Sequence, residues 1–251
     1  FTSNAHAQTV FVDAALTTGA NAGTSWAAAY RGSAGLREAL ATVPPGGEVW
    51  ITEGTYFPTD VVDPGAFFFL DADDVTARGG FLGLETTPLE RPARGEAPTV
   101  LDGDVGGDDG AGLFLDNCDV ALLVRGASPT LDRIDVVRTG VFGAGFVLLV
   151  TSGEFRLQEC AVRDSRGNGV SVLPISTQAA SVHLVDCVTE RCFQATSRAS
   201  ASRSASPGTT ISVSSSGPGG RETRSSRTAS RAAVVSMACT SAPRTRTTRV
   251  P

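Results

Sequence analysis

Three stretches of this chain share one pattern. Leu131-Asp132-Arg133-Ile134-Asp135-Val136, Leu157-Gln158-Glu159-Cys160-Ala161-Val162 and Leu184-Val185-Asp186-Cys187-Val188-Thr189 each carry apolar residues at the first and fourth positions. The first two also carry valine at the sixth. Their spacings are 26 and 27 residues, and β-type runs at 147–150 and 170–173 lie between them, 23 residues apart. A period in the twenties with several short strands per period predicts a solenoid, because one turn cannot bury its apolar face alone and stacked turns make a continuous core. Equivalent residues then lie about 4.8 Å apart. Leu131, Leu157 and Leu184 are expected to form one interior ladder, and Ile134, Cys160 and Cys187 the next. A leucine-rich repeat is excluded by the missing dense leucine and fixed asparagine pattern. A β-sandwich is the alternative that three copies leave open.

The N-terminal part reads as short strands around one helix. Val10 to Val12, Val49 to Ile51 and Phe67 to Leu70 are β-type runs. Ser33 to Val43 reads as an amphipathic helix with Ser33 as its N-cap. Leu36, Leu40 and Val43 fall on one face, and Pro44-Pro45-Gly46-Gly47 stops it. Residues 54–58 read as a turn out of the preceding strand. No apolar run reaches 18 residues, so no transmembrane helix is expected. Ala5-His6-Ala7 before Gln8 has the form of a signal-peptide cleavage site, so residues 1–9 are expected to hold the end of a leader.

Charge divides the chain. Residues 1–193 hold 25 acidic residues and 12 Arg, a net charge of −13, whereas residues 194–251 hold one acidic residue and nine Arg, a net charge of +8. There is no Lys. Read at face value, 194–251 is a disordered, basic Ser/Thr/Arg tail. Its onset is abrupt and falls inside a repeat. Reverse translation of Phe193 to Ser197 in a shifted frame can encode Ser-Gly-Asn-Phe. The shifted frame over Arg198 to Ser206 can alternate small and apolar residues with period two, as a strand requires. The tail is therefore read as an out-of-frame translation, the solenoid of 10–193 as incomplete at its C-terminal side, and no nucleic-acid partner is expected.

The stretches Phe11-Val12-Asp13, Gly23-Thr24-Ser25-Trp26-Ala27, Pro45 to Ile51 and Gly54 to Thr59, with the helix at Leu36 to Leu40, resemble the N-terminal cap and first coil of bacterial right-handed parallel β-helix proteins of the pectin-lyase-like type. This type is related to polymorphic outer-membrane and choice-of-anchor surface proteins. Gly79 to Thr86 and Pro98 to Asp104 continue the likeness, which covers about residues 10–192. It implies an all-β, right-handed parallel β-helix with an N-terminal capping helix. It leaves activity open, because this fold carries both sugar-cleaving enzymes and non-enzymatic surface proteins.

Candidate chemistry is sparse. Asp102, Asp104, Asp108 and Asp109 form a carboxylate loop rich in glycine that could wrap Ca²⁺. A solvated turn is the favoured reading, since the closing bidentate Glu of an EF-hand is missing. Asp71, Asp73 and Asp74 form a second acidic cluster. The resemblance implies, for an enzyme, Asp-bound Ca²⁺ with an Arg base or paired Asp as acid and base. Asp132, Asp135 and Arg133 are the candidates for catalysis; ordinary outward polar positions are the favoured alternative. His6 and His183 fit no metal or nucleophile spacing. Cys160 and Cys187 are expected to stack as thiols in adjacent coils, with a disulfide as the alternative. Trp26, Tyr30, Trp50, Tyr56 and Phe57 are expected to pack a cap core, with sugar stacking as the alternative. The expectation is an exported, non-catalytic cell-surface scaffold, adhesin-like and in contact with polysaccharide or another surface ligand. The rival is a polysaccharide lyase or glycoside hydrolase acting on acidic polysaccharide.

Overall fold

The computed structural model describes residues 8–111, 114–140, 144–174 and 180–192, together with two short strands further on, Thr209–Val213 and Val235–Ser236. Residues 1–7 of the expected leader and most of the tail lie outside the described residues. The chain runs through β1 (Thr9–Asp13), β2 (Tyr30–Arg31), α1 (Gly32–Thr42), β3 (Glu48–Thr52), β4 (Gly54–Tyr56), β5 (Phe68–Asp71), β6 (Thr76–Phe81) and β7 (Thr99–Asp102). It continues through β8 (Val120–Ala127), β9 (Thr130–Asp132), β10 (Ile134–Val137), β11 (Ala144–Gln158) and β12 (Ala161–Arg163). β13 (Asn168–Pro174), β14 (Ala180–Val185) and β15 (Val188–Glu190) follow, and Thr209–Val213 and Val235–Ser236 are β16 and β17.

Three sheets are laid down in rotation. Sheet I holds β5, β8, the first half of β11, and β13; sheet II holds β1, β2, β3, β6, β9, the second half of β11, and β14; sheet III holds β4, β7, β10, β12 and β15. Every pairing among β1 to β15 is parallel, as stacked coils of a β solenoid require. β16 and β17 join β14 and β13 in the antiparallel sense.

The expected ladder is present and longer than the three repeats. Val10, Val49, Ala77, Leu131, Leu157 and Leu184 are successive register partners in sheet II, all buried. Sheet III contributes Tyr56, Leu101, Val136 and Val162, and sheet I contributes Phe68, Leu122, Phe146 and Val170, again buried row by row. The three rows face one another and form a single core. Ile134 and Cys160 are buried, and Cys187 is half-buried. Cys160 and Cys187 are free thiols that donate to the Leu131 and Leu157 carbonyls of the preceding coil.

Three local expectations change. The runs at 147–150 and 170–173 pair with an offset of 24 residues, Phe146 opposite Val170, and not 23. An offset of 23 would set outward positions against inward ones, since side chains alternate along a strand. α1 begins at Gly32, so Ser33 is no N-cap; its hydroxyl accepts the Phe57 N–H at 2.9 Å. Residues 54–56 form strand β4, not a turn, and bury Tyr56. Gly54 turns the corner between β3 and β4 at φ +139°, and a Cβ there would lie 2.5 Å from the Ala14 methyl. α1 buries Leu36, Ala39 and Leu40 in the common core, as its apolar stripe predicts. No helix among the described residues is long and apolar enough to cross a membrane.

Candidate ligand site at the outer end of sheet III

Parallel stacking converts sequence spacing into rows of charge. The residue leaving sheet II is left-handed in three coils: Arg133, Glu159 and Asp186, with φ between 52° and 55°. The residue leaving sheet III repeats this as Arg138, Asp164 and Arg191, with φ from 50° to 56°. Opposite charges therefore meet across coils. Arg133 Nε donates to Glu159 Oε2 at 2.8 Å. Arg191 grips Asp164 through Nε and Nη2, and this partner holds the Asp164 carboxyl below the usual carboxylate range.

The residues singled out for catalysis do not form an acid–base pair. Asp132 stands on the outward face of sheet II, in register with Arg78. Its Oδ2 accepts Arg78 Nη1 at 3.0 Å and Arg91 Nη2 at 2.8 Å, while Oδ1 is buried without a hydrogen-bond partner. Only 3% of the Asp132 side chain and 8% of Arg91 is exposed. Asp135 belongs to sheet III, where Arg94 and Arg163 hold it from two sides. Arg133 also donates to the Pro92 carbonyl at 2.7 Å. Arg91, Pro92 and Arg94 all belong to the segment connecting β6 to β7. The three candidates thus fasten one loop across the corner between sheets II and III.

That loop is ordered from within as well. The Glu85 carboxylate accepts the N–H groups of Leu82, Gly83 and Leu84, and Thr87 and Glu90 close a capping box. The Glu85 carbonyl accepts Trp26 Nε1 at 2.8 Å. Trp26 and Trp50 pack with Phe11 and Phe81, Trp50 stacking on Phe81 at 4.8 Å. Trp50, Phe81 and the core Tyr56 are buried, which favours packing over sugar stacking.

The acidic loop after β7 also divides its carboxylates. Asp102 is buried and gripped by Arg138 through Nε and Nη2. Asp104 is buried and accepts the N–H groups of Gly107 at 2.7 Å and Asp108 at 3.2 Å. Asp109 accepts Asn117 Nδ2 at 3.2 Å. Burial, with Asp116 and Asp104 nearby, pushes the Asp108 carboxyl up. Among the described residues, no group of three or more His, Cys, Asp or Glu side chains is placed to hold a metal ion. The alternative calcium set of Asp102, Asp104, Asp108 and Asp109 is not assembled among the described residues, where Arg138 and backbone N–H groups take oxygens of the first two. Of the second acidic cluster, Asp71 lies exposed at the end of β5 and pairs with Arg125, which keeps its carboxyl below the usual range.

What the loop does build is a cavity of about 500 Å³ against the end of sheet III. Asp109, Gly110 and Phe114 line it from the loop; Val137, Arg138, Asp164, Arg166 and Arg191 line it from the coil corners. The Arg166 guanidinium lies over the Phe114 ring, 3.5 Å from its centroid. Burial is the main cause that raises the Asp109 carboxyl, with Asp104 adding to it. Arg166, Arg191 and Phe114 were not among the residues singled out from sequence. Arg138, Asp164 and Arg191 nevertheless repeat at 26 and 27 residues, the same spacing as the core ladder. No family model, curated protein or solved structure matches the chain, so its function is read from its own geometry.

Proposed function

We propose that the chain is an exported, non-catalytic cell-surface scaffold that contacts carbohydrate. In this reading it is a right-handed parallel β-helix of the pectin-lyase-like type, with α1 as its N-terminal cap. α1 precedes β3 where later coils have a strand of sheet I, and its buried leucines would close the first coil's apolar cross-section. The observation that carries the non-catalytic reading is the state of Asp132 and Asp135. Each is shielded between two guanidiniums and spent on holding the β6–β7 loop. A general acid or base must reach the reacting group within hydrogen-bond distance, and these carboxylates face arginines instead. The long outer faces, with side chains in rows about 4.8 Å apart, supply a contact surface for an extended polymer.

The rival reading, a polysaccharide lyase or glycoside hydrolase, rests on the same cluster, since Asp132 and Arg78 share one outward strand face. Incubating the protein with polygalacturonate and alginate, with and without Ca²⁺, and measuring binding beside product release, separates the two. Binding without turnover is the expected result. Turnover lost in a folded Asp132→Asn variant overturns the scaffold reading.

A further inference from the structure

The cavity at the end of sheet III gathers guanidiniums in an acidic domain, three of them beside the two carboxylates of Asp109 and Asp164. Residues 1–193 carry a net charge of −13 and only 12 Arg, yet three of those Arg line this one cavity. We propose that the cavity is a binding site for a tetrahedral oxyanion, a sulfate or phosphate monoester, carried on a sugar-sized body. This rests on the scaffold reading above and names the ligand chemistry of one site on it.

The arginines are held in place before a ligand arrives. Arg138 and Arg191 occupy the same corner position two coils apart, with Asp164 between them. Each gives its Nε and Nη2 edge to a carboxylate, Asp102 for Arg138 and Asp164 for Arg191. A bidentate pair fixes the plane of a guanidinium and turns its Nη1 edge to other acceptors, which for Arg191 already include Glu190 Oε2 at 3.8 Å. Arg166 is oriented by the Phe114 ring beneath it. Less rotamer freedom is then lost on binding. Three guanidiniums around one space match the three terminal oxygens of a monoester; a planar carboxylate offers two. Phe114 and Val137 supply an apolar wall for the body bearing the ester. A volume of about 500 Å³ is in the usual range for a small-ligand pocket.

Titration calorimetry on the whole chain tests this with four probes: inorganic sulfate, inorganic phosphate, a sulfated disaccharide and a non-sulfated uronate disaccharide. The expected order is sulfated disaccharide tighter than either inorganic ion, and the uronate weakest. Arg166→Gln and Arg191→Gln should each weaken sulfate binding about tenfold, the size of one lost charge-assisted hydrogen bond. Arg191 is 62% exposed, so its variant is expected to keep the fold. Asp109→Asn should tighten sulfate binding, a gain that a purely structural role for this residue does not produce. No oxyanion binding, or binding that both Arg variants leave unchanged, overturns the proposal. Uronate binding as tight as that of the sulfated disaccharide does the same. Carbohydrate binding that survives the Arg variants keeps the scaffold reading and sinks this site. Sulfate binding that an attached disaccharide does not improve keeps the oxyanion pocket and sinks its sugar-bearing ligand.

Discussion

Replacing Asp132 by Asn separates a fastening role from a catalytic one. The substitution keeps the side-chain shape and removes one negative charge facing two guanidiniums, at 3.0 Å from Arg78 and 2.8 Å from Arg91. At an effective dielectric of ~20, unit charges ~4 Å apart attract by about 4 kcal/mol. Much of that is offset by the carboxylate no longer needing to be desolvated. Arg78 keeps Glu48 as a partner, and Arg91 keeps the Gly79 and Pro88 carbonyls. The net loss therefore approaches that of one hydrogen bond to a charged group, about 2 kcal/mol. With a urea m-value of about 2 kcal/mol/M, the midpoint should fall by roughly 1 M with an unchanged slope. Urea unfolding followed by circular dichroism measures this. Arg91→Gln should cost a similar amount, and the double variant less than the sum, because the two residues share one contact. A variant as stable as the parent would refute the fastening argument.

Other consequences follow from the same rows. Leu157→Ala, at the centre of the sheet II ladder between Leu131 and Leu184, should lower stability by about 2–4 kcal/mol, while the outward neighbour Gln158→Ala changes it by under ~0.5 kcal/mol; equal losses in urea unfolding would contradict the register. Gly54→Ala must place a methyl at φ +139° and 2.5 Å from Ala14, so about 2 kcal/mol or more should be lost, and a neutral result would refute the β3–β4 corner. Burial pushes the Cys118 thiol up to about 11, so iodoacetamide at pH 8 should leave it unmodified until denaturant is added, as peptide mapping would show. Sulfate binding should tighten as pH falls from neutrality into the carboxylate range. Burial and Asp104 raise the Asp109 carboxyl from its ordinary value, against the opposing Asn117, Arg138 and Arg166, and its proton removes a negative charge from the cavity. Asp164, held low by Arg191, stays charged longer. Asp109→Asn should flatten this profile, and an unchanged profile would assign the pH effect elsewhere.

The spacing of Leu131, Leu157 and Leu184 was enough to place them in one ladder, because in stacked coils sequence separation and spatial register are the same quantity. The helix was legible for a similar reason: Leu36, Leu40 and Val43 needed a common buried face. Local turn chemistry was less so. Gly54-Thr55-Tyr56 has the composition of a turn, yet Tyr56 has a place to be buried only once Leu101 of the next coil is beside it. The offset of 24 in sheet I likewise follows from which side of each strand meets the core.

Which charges meet outside the repeat spacing was decided by the tertiary structure alone. Nothing local ties Asp132 to Arg91 or Asp135 to Arg94, which are 41 residues apart in each case. Only the folding of the β6–β7 loop back over the coil corner unites them. The carboxylate-rich loop could be read from sequence as a cation wrap or a solvated turn, and only the fold brings Arg138 to Asp102 from another coil. Sequence by itself determined the repeat, and with it the core, because burial depends on alternation and period. The structure decided the use of the polar residues, because pairing energy depends on distance and shielding, which coil stacking and loop closure set.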